Sequence, residues 1–173
     1  MLPLFAKETT TRNADAIFRK KVVPYLLDVW LDEYKKGMPK TNIVETTVTT
    51  FSYLFDIEPQ RLIAAWGVSH GKFAGPRDDA RMAGHPRGGG PLYHRGHAIA
   101  HTLGGQTDIN LVPQLGSVNI GPFRVLEKRA VATPGALYFS YWMYGKPQDQ
   151  KPTGVQQGLL APGDAPDVRT FPN

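Results

Sequence analysis

Between residues 91 and 130 the chain reads PLYHRGHAIAHTLGGQTDINLVPQLGSVNIGPFRVLEKRA, and its glycines and prolines leave few folds open. Gly96 and the pair Gly104-Gly105 forbid a long helix through the first half. "YHRGH" therefore reads as a short strand and "INLVPQ" (109 to 114) as a second one, with a glycine loop between them. Asn119 then suits a helix N-cap and Pro122 the first turn, where its missing N–H costs nothing. A helix from 119 to 130 would turn Phe123 and Leu126 inward. The segment is thus strand, loop, strand, helix.

Three chemistries compete for its polar residues. His97 and His101 have the i, i+4 spacing of a helical zinc site, with His94 as a third imidazole. The helical zinc-protease pattern needs a glutamate directly after its first histidine, and Ala98 stands there. A phosphate loop would need Gly-Lys-Ser/Thr after its glycines, which "GGGP" lacks, and a Ser-His-Asp hydrolase would need G-x-S-x-G, which does not occur. The third option uses more of the segment. A histidine at a strand end beside Arg95 can take a proton from water, and an asparagine oxygen on the following helix can hold hydrated magnesium. Together they make a phosphodiesterase site.

The flanking sequence reads less sharply. Residues 13 to 36 repeat apolar side chains at helical spacing (Phe18, Val22, Leu26, Val29), with Asn13 as cap, a kink at Pro24, and Gly37 and Pro39 as stops. Residues 42 to 55 combine a β-branched run with the helical spacing of Val44, Val48, Phe51 and Phe55, and we read them as helix. Asp56 is expected to cap a short helix through Leu62, Ile63 and Trp66. Residues 71 to 91 carry six glycines and three prolines, a long basic loop with Arg77, Arg81 and Arg87. The aromatic run "ALYFSYWMY" (136 to 144) suits a buried strand. The tail from Lys146, with five prolines, reads as an extended wrap over the core. The domain division expected is 1 to 70, an N-terminal helical region that is an extension or an integral layer, and 71 to 173, a domain carrying the catalytic residues with its core at about 91 to 131.

A chain of 173 residues fits one domain with such an extension. Without cysteine it has no disulfide and no thiolate metal site. No apolar run reaches the roughly 18 residues of a membrane span, and Met1-Leu-Pro-Leu-Phe lacks the form of a Sec signal. The net charge of +5 suits a polyanionic partner, although many soluble proteins are as basic.

The run "YHRGHAIAHTLGGQTDINLVPQ…NIGPFRVLE" resembles the DNA/RNA non-specific endonuclease family, a branch of the His-Me finger (ββα-metal) nucleases. That family carries Asp-Arg-Gly-His, Asn-Leu-x-Pro-Gln, and a helix with asparagine at its start and glutamate eight residues on. The resemblance implies an α+β fold: a ββα-metal nuclease core with additional strands and the N-terminal helical region. It implies His97 as general base, Asn119 as direct ligand of Mg2+ (or Mn2+), and Glu127 as a holder of metal-bound water or an orienter of Asn119. Asn110 would support the site, Arg95 would contact phosphate, and one of Arg77, Arg81 and Arg87 would face the transition-state charge. The plainer readings are a cap for Asn119, a surface ion pair for Glu127, a solvated charge for Arg95 and a backbone bond for His101. The family's aspartate is His94 here, which either adds pH sensitivity or keeps the same hydrogen bond.

The implied activity is magnesium-dependent cleavage of DNA, with RNA left open, at little sequence preference. The tail is similar to the ends of such domains in bacterial polymorphic toxins. That implies a protein delivered into a target cell by a non-Sec route and secretion machinery, acting in the target cytoplasm, and neutralised by a cognate immunity protein. A catalytically inactive basic nucleic-acid-binding module is the alternative. A colicin-type zinc nuclease would place histidines on the metal helix, and residues 119 to 131 have none.

Overall fold

The helix expected over 13 to 36 forms, after a short α1 (Leu2–Glu8), as α2 (Ala14–Ile17), a π-helical turn (Phe18–Val22) and α3 (Val23–Lys36). Pro24 accounts for the π turn. Its ring would press on the carbonyl four residues back, and the wider turn just upstream takes up that mismatch. Asn13 occupies the N-cap position but turns away from the helix: its amide accepts from Thr10 N (2.6 Å) and donates to Glu8 O (3.0 Å). This computed structural model describes residues 1–38, 40–77, 79–86 and 89–173. Pro39 and Arg87, both invoked above, lie outside them.

Residues 42 to 68 are not helical. They form β1 (Ile43–Val48), β2 (Phe51–Asp56) and β3 (Arg61–Val68), joined as antiparallel hairpins. β1 is an edge strand with most side chains in solvent, so the helical spacing of its valines was coincidence and the β-branched run prevailed. β3 is buried along almost its whole length, and a short continuous apolar run looks alike in a buried strand and a buried helix. Asp56 caps nothing. It ends β2, buried, and accepts from Asn42 N (3.0 Å) and the Tyr34 hydroxyl (2.8 Å).

The middle of the chain carries α4 (Asp79–Met82), β4 (Tyr93–His97), β5 (Leu111–Leu115), α5 (Gly116–Ile120) and α6 (Pro122–Ala132). β4 and β5 pair only with each other, antiparallel, with His94 opposite Gln114 and His97 opposite Leu111. The single helix expected over 119 to 130 is two, because the chain turns at Gly121, where a Cβ would sit 2.4 Å from Ser117 O. Pro122 opens α6 as expected, but Asn119 is the fourth residue of α5 rather than a cap.

β6 (Leu137–Met143) confirms the strand expected there. The tail is no wrap: it supplies β7 (Gly154–Leu160) and β8 (Asp167–Pro172), with its prolines between strands or at a strand end. The six-stranded antiparallel sheet runs β1-β2-β3-β6-β7-β8, so strands from residues 43 to 68 and from 137 to 172 share one sheet. One face packs Phe18, Val22, Leu26 and Trp30 of the helices against Ile63, Trp66, Phe139 and Tyr141. The other packs Tyr138, Trp142 and Val155 against Ala98, Ile99, Phe123 and Leu126. β6 is therefore buried on both sides, which is why its sequence is apolar but for Ser140 and carries four aromatic side chains. The fold class is α+β, with the β4–β5 ribbon and α5–α6 forming a ββα layer on the sheet.

Candidate active site

That layer holds a cavity of about 460 Å³ whose wall includes His85, His94, Arg95, His97, His101, Asn119, Arg124, Glu127 and Arg77. A larger hollow, about 540 Å³, lies beside Arg61 and Tyr144 and shares only Arg95 with it. The larger one contains none of the histidines and neither Asn119 nor Glu127, so the chemistry belongs to the smaller.

His97 ends β4 and is 8% exposed. Burial pushes its pKa from 6.5 down to about 4, helped by the charges of Arg77 and His101. The ring is therefore neutral at physiological pH, as a proton acceptor must be. Its Nε2 is buried without a partner among the described residues. The neighbouring His101 stands edge-on to it, ring centroids 6.4 Å apart, and donates from Nε2 to Pro76 O at 2.9 Å. That bond, with Phe73 N on Thr102 O (2.8 Å), pins the loop that delivers Arg77 to the cavity. His101 thus has the backbone role.

Asn119 is half-buried on α5, and its amide nitrogen lies 3.2 Å from His94 Nδ1. Glu127, on α6, is half-buried at the cavity wall and accepts no hydrogen bond among the described residues. Burial pushes its pKa up to about 8 against the opposing charge of Arg124. A carboxyl group held in so poor a medium for its anion shares the cavity wall with an amide oxygen that has no hydrogen bond among the described residues, a donor set that a hydrated divalent cation would satisfy. Among the described residues no three of His, Asp or Glu converge on one point, so the histidines do not make a multi-histidine site.

Other expected residues are placed elsewhere. Asn110 is fully buried and does not line the cavity. It accepts from Ile99 N and donates to Ile99 O and Gln106 O, each at 2.8 Å, and so staples the loop that follows His97. Of the candidate arginines, Arg77 and Arg95 reach the cavity among the described residues. Arg81 pairs with Asp108, and its carbonyl accepts from Arg95 at 2.8 Å. Two ionisable cavity residues were given no site role by the sequence. Arg124 precedes Glu127 by one helical turn, a spacing that would have revealed it. His85, in the loop, bonds Tyr93 O at 3.2 Å and had no signal.

Residues 75–135 match the DNA/RNA non-specific endonuclease family. The matched segment is about a third of the 173-residue chain. It spans the loop of Arg77, the ribbon and both helices. The chain is similar in structure to NucA from Streptococcus agalactiae with no metal bound: 15% identity over 83% of this chain and 88% of that one, TM-score 0.55. With magnesium ion bound the same protein gives 15%, 83%, 88% and 0.53. EndoG, in its complex with EndoGI, gives 16% identity over 82% and 78%, TM-score 0.54. At such identity these likenesses speak to the fold. No curated protein matches the sequence.

Proposed function

We propose that the chain is a magnesium-dependent endonuclease that hydrolyses DNA with little sequence preference, with RNA as the second substrate to test and manganese able to replace magnesium. The observation that carries this is the convergence of a neutral buried histidine, a free amide oxygen and an unpartnered carboxyl group on one cavity rimmed by Arg77 and Arg124. Asn119 Oδ1 and Glu127 would hold the ion, which would supply positive charge to offset the negative charge developing on the phosphate and the leaving oxygen. His97 accepts the proton of the attacking water. Nε2 is sealed inside, so the accepting atom is Nδ1, with the ring hydrogen on Nε2. Arg77 and Arg124 hold backbone phosphates, contacts that carry no sequence information. Arg95 contributes charge between the two hollows.

Plasmid DNA incubated with wild type, His97→Ala and Asn119→Ala, each with magnesium or with EDTA, tests the reading. Cleavage is expected only from wild type with magnesium, and loss of the base should cost on the order of 10² to 10⁴ in rate. Plasmid that is bound but left intact by wild type would replace the enzyme with an inactive binding module. The biological role we propose is an antibacterial toxin, delivered to act in a target cytoplasm and held in check by a cognate immunity protein. The likeness of its tail to toxin domains supports this, as does the solved complex of EndoG with EndoGI, described as a mechanism of EndoG inhibition. No helix among the described residues is long and apolar enough to cross a membrane. Expression of wild type in a bacterial cytoplasm should arrest growth and degrade the nucleoid, while His97→Ala should do neither.

A further inference from the structure

We infer that His94 is a positioning residue: it turns the Asn119 side chain so that the amide oxygen, and not the nitrogen, faces the cation. This rests on the metal-dependent reading of the site. A primary amide has nearly the same shape either way round, so packing alone cannot choose which end faces the cavity. The wrong choice would aim two N–H donors at a positive ion. The choice needs a neighbour that can only accept.

His94 meets that need. Its Nδ1 lies 3.2 Å from Asn119 Nδ2, the one hydrogen bond of the Asn119 side chain among the described residues. With the ring proton on Nε2, Nδ1 offers a lone pair and nothing else, so Asn119 must present its N–H there and its oxygen elsewhere. The imidazole is itself held. A Cβ at Gly116 would lie 2.8 Å from His94 Nε2 and 3.1 Å from Cε1, so the first residue of α5 is cut back to let the ring lie against the strand-to-helix turn. Gly116 N also donates to Leu92 O at 2.8 Å, which ties that turn to the start of β4. β4 and α5 are thus locked so that one imidazole nitrogen meets one amide.

This explains the departure from the Asp-Arg-Gly-His pattern. A carboxylate at position 94 would also be purely an acceptor, attached at the same δ position. What the site needs there is an acceptor at δ, and the negative charge is dispensable. Supporting residues of this kind typically affect metal affinity 10- to 100-fold, by order of magnitude.

The test is Mn2+ binding by electron paramagnetic resonance, without nucleic acid and at one fixed pH, on wild type, Asn119→Ala, His94→Ala, His94→Gln and His94→Asp. Gln keeps volume but moves its polar end one bond outward, whereas Asp keeps an acceptor at δ. We expect Mn2+ affinity to fall roughly tenfold or more in the Ala and Gln variants of His94, and Asp to recover most of it. The magnesium concentration for half-maximal cleavage should shift in parallel, with DNA binding in EDTA unchanged. If Asn119→Ala binds Mn2+ weakly while both His94→Ala and His94→Gln bind as wild type, the positioning role is refuted and the metal reading survives. A His94→Asp variant as weak as His94→Gln also refutes it. Unaltered Mn2+ binding by Asn119→Ala removes the metal reading and the inference with it. Should His94→Ala melt below the assay temperature, the Gln and Asp pair decides alone.

Discussion

Urea unfolding of wild type and His97→Gln at about pH 7.5 and pH 5 tests the central electrostatic argument. Burial, with the Arg77 and His101 charges, holds His97 at about 4, against 6.5 for an ordinary imidazole. Between those values the unfolded chain carries a proton that the native protein refuses. The stability is therefore full above 6.5 and is lost as the pH falls towards 4. With those two values, linkage gives a loss of about 2 kcal/mol at pH 5 relative to pH 7.5 from this one ring. His97→Gln cannot titrate, so its loss over the same interval should be smaller by about that amount. The comparison is of slopes with pH, so any packing cost of the substitution cancels. Parallel pH dependence in the two proteins would refute the buried neutral histidine. The same argument puts the acid limb of kcat/KM for wild type, which reports the free enzyme, below pH 6.5.

Glu127 carries the opposite sign. Its pKa is raised to about 8, so in EDTA it should contribute stability at low pH that is lost as pH rises from 4.5 through 8, and the melting temperature of Glu127→Gln should be flatter over that window. Arg77→Ala and Arg124→Ala should each weaken DNA binding without changing sequence preference and reduce the salt slope by about 1, whereas Arg81→Ala, tied to Asp108, should do less; filter binding across a salt series measures this. Asn173→Ala should destabilise the protein by about 1–3 kcal/mol in urea. Its side chain accepts from Leu115 N and donates to Pro113 O and Pro152 O (2.8, 2.8 and 3.0 Å), clamping β5 to the large sheet, so cutting rate should fall too.

The ribbon and its helix were legible because their signals are local. Glycine and proline fix where β4, β5 and α6 can begin and end, and the residues that do chemistry sit at set distances along forty residues. The aromatic run of β6 was legible for a similar reason, since four aromatic rings within seven residues suit a buried strand. β1 to β3 and β7 to β8 were not. A strand buried on both faces loses the alternation that marks a strand, an edge strand need not have it, and only the pairing itself distinguishes either from a helix or a loop, local for β1 and β8 and about seventy positions distant between β3 and β6. The break at Gly121 depends on the backbone passing so close to the Ser117 carbonyl that a Cβ would sit 2.4 Å from it, which no pattern of apolar residues reports.

The same division runs through the site. Sequence alone determined the residue types, the reaction class they suit and the spacing of His97, Asn119 and Glu127, because a motif records chemistry that must stay close along the chain. Tertiary structure alone decided which arginines meet the cavity, that Asn110 is a staple, that Arg124 joins the rim, and that burial moves His97 and Glu127 in opposite senses. Those outcomes depend on how much water each group loses and on what stands across the cavity. The sheet that packs beneath the ribbon sets both, and it is assembled from the two ends of the chain.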